Sequence, residues 1–351
     1  MAQLVESRPH YHFVTKLLIG LFNDGELPNV RNICIEQTYG YVGRIEYVDG
    51  HSHLFRGTNM GVNSIGASEI SGDKGYTKFF LKKLGYSTPE WEIFLMQEYM
   101  EKLKRSQSRN GFQDVQRSAS QAPQYVEHSF GYPCYAKPNF GSQGRGIVRC
   151  ETPKDLELAV EDFCKQGLNL FLVEKAVSMP DFRVVVFDNE VISCYQRIPL
   201  QVVGDGVSTI TMLLQEKQKE YFGRGREEVI NVQDSRMVQK LSRKGLDLQN
   251  VLPVGQRCPL LDVSNLSAGG ESEEFTHRIH AHWKRLSVAL TRDMGLRLCG
   301  VDIACTDLED PQSAYSILEI NAAPGLDNYA SSGKEQFGKV KELYRRVFNE
   351  L

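Results

Sequence analysis

The sequence lacks any long hydrophobic run. Its longest apolar stretch, residues 17–22, has six residues counting Gly20, whereas a helix that crosses a bilayer needs roughly 20. The first residues also lack a basic region followed by an apolar one, so no secretory signal is predicted. We therefore expect a cytoplasmic protein with no membrane partner.

The chain has little excess charge of either sign. Its 351 residues include 41 basic and 44 acidic side chains, which gives a formal net charge of −3. Proteins held to nucleic acid by phosphate attraction are usually basic, so this balance argues against nucleic acid as a partner. With 41% hydrophobic and 24% charged residues, the composition is typical of a globular protein of two or three domains.

Several short motifs of known chemistry are missing. The eight cysteines include no C-x-x-C pair, which argues against a zinc site and predicts reduced thiols. Neither a G-x-S-x-G elbow nor a P-loop of the form G-x-x-x-x-G-K-[ST] occurs. The sequence therefore predicts neither serine hydrolase chemistry nor a P-loop nucleotide site.

Hydrophobic periodicity predicts a mixture of helices and strands. Residues 1–66 hold short apolar stretches broken by glycines, which predicts a small α/β or β-rich unit. A helix is predicted after Asp73, a suitable N-cap, and before Gly85, a suitable C-terminal residue. The apolar residues that recur at helical spacing between them are Tyr76, Phe79, Phe80 and Leu84.

The rest of the chain alternates between the same two patterns. Residues 101–122, rich in Ser and Gln, predict a loop or linker, and residues 215–250 predict exposed helices. A helix is predicted to begin after Thr152, where the sequence resembles a capping box. A further helix is predicted over 276–294. Strands are predicted over 134–138, 146–150, 170–177, 183–187, 191–198, 299–305 and 315–321.

A lysine and a glycine-rich hairpin lie between two of these strands. Lys137 is near the end of one strand, and Gly141, Gly144 and Gly146 precede the next. Glycines allow backbone N–H groups to approach phosphate oxygens because no Cβ is in the way. The segment is therefore a candidate phosphate loop, with a plain β-turn as the alternative interpretation.

Three oxygen-bearing side chains lie in the last two predicted strands. Period-two alternation places Glu319 and Asn321 on one face, and Asp302 lies among apolar neighbours. A buried carboxylate is costly unless it is paired or binds a cation. Hard oxygen ligands suit Mg²⁺, which takes a few protein oxygens together with substrate phosphates. Salt bridges or a turn cap are the alternative interpretation of the trio.

Eight segments, in their order along the chain, resemble the ATP-grasp ligases, and most of all the ATP-grasp part of cyanophycin synthetases and bifunctional glutathione synthetases. They are Gly72–Lys74, 137–146, Val173–Ala176, Asp181–Arg183, Val203–Gly206, Asn265–Gly270, Gly300–Asp302 and Leu318–Gly325. The resemblance covers roughly residues 60–330. It implies an α+β ATP-grasp fold, in which two α+β subdomains clasp ATP, with a small N-terminal α/β domain.

The resemblance also implies domain boundaries and nucleotide contacts. The expected units are residues 1–66, residues 67–175 with the glycine loop, and residues 176–351 with a lid at 207–250 and the metal site. The backbone of the hinge would read adenine, and Asp181 would take the ribose hydroxyls. The full set of implied nucleotide-binding residues is Lys74, Lys137, Gly141, Ser142, Gly144, Gly146, Glu174, Lys175, Ala176 and Asp181.

Further roles follow from the same resemblance. Asp302, Glu319 and Asn321 would bind two Mg²⁺ ions, with Mn²⁺ as a substitute. Lys137 and Arg197 would be catalytic, and Arg197 would stabilise charge on the transferred γ-phosphoryl group and on the acyl phosphate. The cofactors that the resemblance implies are therefore ATP and a divalent cation.

The resemblance also implies residues on the substrate side. Asn265, Ser267 and Gly269 would line the acceptor side. Related chains often carry an arginine two to four residues before the Asn-Leu-Ser motif, where this chain reads Leu-Asp-Val-Ser over 261–264. The candidates to hold the substrate carboxylate instead are Arg224, Arg226 and Arg257, with a solvated surface charge as the alternative interpretation of each.

The implied activity is that of an ATP-dependent carboxylate–amine ligase. A carboxylate reacts with an amine only after phosphorylation supplies a leaving group, and positioning and cations catalyse such a transfer. The expected product is a peptide or isopeptide bond between amino acids or small peptides, with release of ADP and phosphate. A homodimer is expected from the family alone. A small-molecule kinase on the same scaffold and a nucleotide-binding regulator without catalysis are the alternatives.

Overall fold

The computed structural model describes residues 4–107, 117–141, 144–226 and 230–351. The α-helices in these ranges are α1 (Phe13–Asn23), α2 (Ile65–Gly72), α3 (Lys74–Lys83), α4 (Gln97–Gln107), α5 (Ala122–Ser129), α6 (Pro153–Lys165), α7 (Ile210–Gly223), α8 (Ser235–Arg243), α9 (Ala281–Asp293), α10 (Asp327–Ala330) and α11 (Lys334–Glu350). None of these described helices combines the length and the apolar character that a membrane span requires.

The strands found in these same ranges form four sheets. In chain order they are β1 (Val30–Ile35), β2 (Val42–Tyr47), β3 (Ser52–Arg56), β4 (Trp91–Leu95), β5 (Arg117–Ser118), β6 (Cys134–Pro138), β7 (Val148–Cys150), β8 (Leu170–Lys175), β9 (Asp181–Phe187), β10 (Glu190–Ile198), β11 (Gln201–Val203), β12 (Arg257–Pro259), β13 (Glu271–Glu274), β14 (Leu298–Cys305) and β15 (Tyr315–Asn321). The sheet orders are β1-β2-β3, β5-β4-β8-β6-β7, β13-β10-β9-β14-β15 and β11-β12. The strands predicted from apolar patterns are thus confirmed within a few residues.

The N-terminal unit consists of α1 and the antiparallel sheet β1-β2-β3. Its apolar side chains do not form a separate core, because they pack together with α11 and with residues of β9 and β10. The hydroxyl of Tyr47 also donates a 2.7 Å hydrogen bond to the carbonyl of Phe348. The two ends of the chain therefore share one core.

The first five-stranded sheet carries α5 and α6 on one side, packed through residues such as Val126, Phe163 and Phe171. Helix α6 begins at a capping box formed by Thr152 and Asp155, which confirms that prediction. In the register of β6 and β8, Tyr135 lies opposite Glu174. Because side chains alternate along a strand, this register places polar groups of both strands on the uncovered face.

The second five-stranded sheet is antiparallel, with α9 packed on one face. Strands β9 and β10 form a hairpin that turns at Asp188, whose φ is +53°. Its register places Arg197 opposite Asp181, and Asp302 lies opposite both Arg183 and Glu319. Strand pairing alone therefore gathers these polar side chains at one end of the sheet.

A smaller unit lies over residues 200–261. Strands β11 and β12 and helices α7 and α8 enclose a core of their own that includes Leu200, Leu214, Leu241 and Leu260. The predicted lid falls within this unit. Its helices have the exposed outer faces that the charged sequence predicts.

Helix α3 confirms the predicted helix, but the apolar residues that indicated it are not on its buried face. Asp73 caps its first turn through a 2.8 Å bond from the N–H of Tyr76, and Gly85 follows with φ +84°. The residues that supplied the apolar periodicity are exposed, namely Tyr76, Phe79, Phe80 and Leu84. Lys74 and Lys78 are buried instead.

Two predicted boundaries differ from the structure. The predicted loop or linker over 101–122 is helical at its start, where α4 continues to Gln107, and at its end, where a 3-10 turn at Ala119–Gln121 leads into α5. Residues 108–116 of this segment lie outside the described residues. Helix α9 begins at Ala281 rather than at residue 276, because the ring of His280 accepts a bond from the N–H of His282 and caps the helix there.

Glu274, at the end of β13, ties this strand to α10 and α11. Its carboxylate accepts bonds from the hydroxyl of Tyr329 at 2.6 Å and the amide of Gln336 at 3.1 Å, and it lies 3.0 Å from the Nζ of Lys339. Burial opposes ionisation, but hydrogen bonds from Thr276 and Tyr329 lower the pKa of Glu274 from 4.5 to about 2.

Glu274→Gln is expected to lower the free energy of unfolding by about 2 kcal/mol at pH 7, the scale of hydrogen bonds to a charged group. Since the folded pKa lies below the unfolded one, this stability is present above the unfolded value of 4.5 and is lost as the pH falls towards 2. Urea unfolding at a series of pH values measures it. Glu273→Gln, an exposed neighbour in β13, is the control. A difference that does not change with pH would contradict the assignment.

Candidate functional site

The two five-stranded sheets face each other across a cavity of about 200 Å³. From the first sheet come Tyr135, Lys137 and Glu174. The second sheet contributes the larger set of polar residues, namely Asp181, Arg183, Arg197, Asp302, Glu319 and Asn321. A loop that follows β12 closes one side with residues 262–265. The structure thus brings together the predicted nucleotide and metal residues of both halves of the chain.

Asp302 is the most buried acid in the cavity, with 2% of its surface exposed. Its carboxylate accepts hydrogen bonds from the Nε and Nη2 of Arg183, and the Nη2 of Arg197 lies 2.9 Å away. Burial opposes ionisation, but the two guanidinium groups hold the pKa of Asp302 below its ordinary value. Gly300 makes room for this arrangement, since a Cβ there would lie 3.1 Å from the Cδ of Arg183.

Arg197 bridges two acids on neighbouring strands. Its Nη2 donates to both carboxylate oxygens of Asp181, at 2.8 and 2.9 Å, in addition to its contact with Asp302. Burial raises the pKa of Asp181, and Arg197 counteracts this. The Nε of Arg197 is buried without a hydrogen-bond partner in the described parts of the chain. A donor left over beside a cavity is available to an anionic ligand.

Three side chains on the first sheet and α3 form a second buried charge cluster. Glu174 accepts a hydrogen bond from the Nζ of Lys137 on one oxygen, and the Nζ of Lys78 lies 2.7 Å from the other. Burial opposes ionisation, but the two lysines lower the pKa of Glu174. The cluster therefore places two lysines on one buried acid next to the cavity.

Lys74 connects the glycine loop to the last strand. Its Nζ donates to the carbonyl of Gly141 at 2.9 Å and lies 3.3 Å from the Oε1 of Glu319. Gly144 and Gly146 both have positive φ, at +66° and +71°, which favours glycine. Lys74 therefore lies between the glycine loop and Glu319, one of the predicted metal residues. Ser142, a predicted nucleotide residue, falls outside the described residues.

The predicted adenine hinge is partly occupied by the sheet itself. The N–H of Lys175 donates to the carbonyl of Glu90 at 2.9 Å, and that of Ala176 to the carbonyl of Pro133 at 3.0 Å. These two N–H groups are therefore not free to read a base. Val177 and Met179, the next residues that line the cavity, extend the hinge further than the sequence indicated.

The predicted substrate residues are only partly brought to the cavity. Asn265 lines it, and a Cβ on Gly144 would lie 2.8 Å from its Nδ2. Ser267 lies in the short 3-10 turn Leu266–Ala268, and Gly269 ends that turn with φ +90°. The carbonyl of Gly269 accepts a 3.0 Å bond from Tyr221, so this residue serves the packing of α7.

The three arginines predicted as candidates to hold a substrate carboxylate are not among the residues that line the cavity. Arg226 is buried rather than solvated, and its guanidinium donates to the carbonyls of Leu266 and Gly270 and lies over the ring of Tyr221. Arg224 is exposed and pairs with Glu220 one turn earlier. Arg257 lies on the exposed edge of β12. Arg226 therefore fixes the loop after β12 and is not the solvated charge of the alternative interpretation, while substrate binding by these arginines stays a prediction.

Comparisons with known proteins agree with this arrangement. Residues 97–205 match the model of the RimK-like ATP-grasp domain. The crystal structure of a bifunctional glutathione synthetase from Pasteurella multocida covers 97% of this chain and 44% of that chain, with a TM-score of 0.59 and 23% identity. The chain has the ATP-grasp fold.

Two curated relatives of this ATP-grasp chain are similar in sequence. Cyanophycin synthetase of Trichormus variabilis is 35% identical over 207 residues, which are 57% of this chain and 23% of that protein. The glutathione biosynthesis bifunctional protein GshAB of Streptococcus mutans is 30% identical over 250 residues, which are 66% of this chain and 32% of that protein. These matches thus span less than a third of either relative's length.

The ATP-grasp site includes residues that the sequence did not single out. Lys78 follows Lys74 by four residues, a helical spacing that places both on one face and could have revealed it. Arg183 stood in a recognised segment but had no role assigned to it. Arg236, on α8, donates to the carbonyl of Gly144 at 3.0 Å and gave no sequence signal of its own.

The oxygen ligands of the ATP-grasp site fit a divalent cation. Asp302 and Glu319 are register partners, and Asn321 lies two residues further along β15, so all three reach the cavity. Carboxylate and amide oxygens are the ligands that Mg²⁺ prefers, with phosphates completing the set. No group of three or more His, Cys, Asp and Glu side chains among the described residues could hold a metal alone. A divalent cation at these residues would therefore need a further ligand, such as a phosphate.

Proposed function

We propose that this chain is an ATP-dependent ligase that activates a carboxylate as an acyl phosphate and joins it to an amine, forming a peptide or isopeptide bond. The observation that carries the proposal is one cavity in which lysines and arginines face three oxygen ligands, with an unpartnered guanidinium nitrogen on Arg197. Phosphoryl transfer needs cations at the developing charge and little else from the protein. The ATP-grasp fold supports ATP as the donor.

The nucleotide would lie between the two sheets. Val177 and Met179, at the end of the hinge, would pack against adenine, and Asp181 would accept from the ribose hydroxyls. Lys74 and Lys137 would hold the phosphates, beneath the glycine loop. Each of these side chains lines the cavity or contacts that loop, which supports the assignment.

Asp302, Glu319 and Asn321 would hold the divalent cations, two Mg²⁺ ions or Mn²⁺ in their place. When bound, such an ion neutralises phosphate charge and fixes the geometry of the phosphates. Arg197 would stabilise charge on the transferred phosphoryl group and then on the acyl phosphate. Because the guanidinium of Arg197 already contacts Asp302, the protein would hold this side chain in position before the nucleotide binds.

The acid and amine would enter from the side of Asn265. The curated relatives named cyanophycin synthetase and glutathione biosynthesis protein support an amino acid or a small peptide as the acid. Asp262, which lines the cavity near the position of the arginine in related chains, lies 2.7 Å from Lys240 of α8. The unit of residues 200–261 would act as the lid that keeps water from the acyl phosphate. A homodimer belongs to the same proposal, as does a location in the cytoplasm.

The nucleotide products test this function. With ATP, Mg²⁺ and hydroxylamine in place of the amine, we expect one ADP, one phosphate and one hydroxamate per turnover, detected in a screen of amino acids singly and in pairs. An acyl phosphate requires attack at the γ-phosphorus, which the cations around the phosphates favour.

Other products would reject specific parts of the proposal. AMP with pyrophosphate in stoichiometric amounts would mean attack at the α-phosphorus and would reject the acyl phosphate. ADP with a stable phosphorylated alcohol would assign the chain to the small-molecule kinases. Nucleotide binding without turnover across the screen would support a regulator. Omitting hydroxylamine is the control for simple ATP hydrolysis.

A further inference from the structure

Lys78 is a buried lysine to which the proposed mechanism assigns no role. Only 1% of its surface is exposed, and it is absent from the side chains that line the cavity. Its Nζ lies 2.7 Å from the Oε2 of Glu174 and donates to the Oγ1 of Thr88 at 3.1 Å. A buried ammonium group is costly, so its retention at this position calls for a reason.

Glu174 is shared by two lysines that differ in their freedom to move. Lys137 bonds one carboxylate oxygen and lines the cavity, where phosphates would attract it. Lys78 pairs with the other oxygen and is fixed from behind by Thr88, whose hydroxyl donates to the carbonyl of Ile317 at 3.0 Å. Of the two lysines, Lys137 is therefore the one that a ligand in the cavity can reach.

The second lysine matters because a buried carboxylate that loses its cation is energetically costly. Removing one partner of a buried pair is strongly destabilising because it leaves an uncompensated charge. If Lys137 were the only partner of Glu174, each nucleotide that recruited Lys137 would have to leave the carboxylate unpaired. With Lys78 in place, Glu174 keeps a cation at 2.7 Å when Lys137 turns to the phosphates.

We propose that Lys78 is a positioning residue for ATP binding, which keeps Glu174 paired and thereby releases Lys137 to the nucleotide phosphates. The proposal rests on the proposed function only for the placement of ATP in the cavity. It makes Lys78 act through Glu174 and Lys137, without contact with the nucleotide.

Direct binding of ATP tests the proposal without any need for turnover. In Lys78→Met, the dissociation constant for ATP with Mg²⁺, measured by titration calorimetry without an acid substrate, should rise about 10- to 100-fold. Adenosine, which has no phosphates for Lys137 to bind, should keep its affinity within about threefold. A general distortion of the site would weaken both ligands alike.

Removal of the acid should rescue the variant. In the double variant Lys78→Met with Glu174→Gln, no buried carboxylate competes for Lys137, and ATP affinity should return to within about threefold of the wild type. Lys82→Met is the matched control, because Lys82 lies one turn further along α3 and is exposed. It should leave ATP affinity unchanged.

The outcomes separate this proposal from the proposed function. An unchanged ATP affinity in Lys78→Met, or a double variant as weak as the single one, would overturn the role of Lys78 while leaving the ligase proposal in place. Wild-type protein that binds ATP but yields no hydroxamate would reject the ligase, while the Lys78 series still stands. Wild-type protein that binds no ATP would overturn both.

Discussion

Asp302→Asn is expected to lower kcat by about 100- to 1,000-fold, the loss seen when one stabiliser of developing charge is removed. Its carboxylate contacts both Arg183 and Arg197 and would supply oxygen to a bound cation. Asparagine keeps the shape but has no charge and only one acceptor oxygen. The variant should also require more Mg²⁺. Steady-state rates over a range of Mg²⁺ concentrations measure both effects.

Asp188→Asn is the matched control for this substitution. Asp188 also pairs with an arginine through two bonds, to the Nε and Nη2 of Arg297 at 2.7 and 3.0 Å, but it lies at the β9–β10 hairpin away from the cavity. It should keep near-normal kcat. If Asp302→Asn fails to fold, as judged by thermal unfolding, Asn321→Ala takes its place. Near-normal activity with an unchanged Mg²⁺ requirement in either cavity variant would show that the metal assignment is wrong.

Arg197→Met should also reduce kcat by about 100- to 1,000-fold, because the transferred phosphoryl group loses its guanidinium. An interaction made mainly in the transition state affects kcat more than the KM for ATP. The two losses should not add in the double variant with Asp302→Asn, since the side chains act as one cluster. Initial rates of ADP release at varied ATP measure the split between kcat and KM.

Arg297→Met supplies the control for the arginine, since it breaks the Asp188 pair outside the cavity. It should leave kcat within about twofold of the wild type, as surface ion pairs contribute little. If Arg197→Met raised only the KM for ATP and spared kcat, Arg197 would be a ground-state contact for the nucleotide. Its assignment to the transferred group would then be incorrect.

Much of the site could be predicted because its residues lie on strands with strong apolar patterns. Asp302 and Glu319 stand in or beside buried runs, where alternation determines the face of each side chain. The order of the recognised segments then predicts that Lys137 shares a site with Asp302 and Glu319, which lie near the other end of the chain. The pairing of Asp302 with Arg183 needed the register of β9 and β14, which no single segment reveals.

Helix α3 shows where a pattern can mislead. Apolar periodicity normally marks the buried face of a helix, but here Phe79 and Phe80 are exposed, while Lys74 and Lys78 face the interior. The reason is that both lysines have acidic partners on neighbouring strands, Glu319 for Lys74 and Glu174 for Lys78. The periodicity of a sequence reports hydrophobicity alone. It cannot predict a buried lysine whose charge is compensated by an acid on another strand.

The structural role of Arg226 could not be predicted from the sequence for a related reason. Its sequence neighbours are polar, which suggests a solvated side chain, but three backbone and side-chain oxygens from distant segments receive its guanidinium. Partners separated by 40 to 102 residues leave no local signal. The same limitation applies to the bond between Arg236 and Gly144.

The core shared by the two ends of the chain affects the electrostatics of the cavity. Along β9, Asp181 and Arg183 point to the same face as Val185 and Phe187, which pack under the N-terminal unit and α11. One face of this strand is thus polar at the cavity, where Asp181 and Arg183 lie, and apolar from Val185 onward. A low-polarity wall beside Arg183 and Asp302 reduces the screening of their charges by water, so each charge acts more strongly on a phosphate in the cavity than it would in an open cleft.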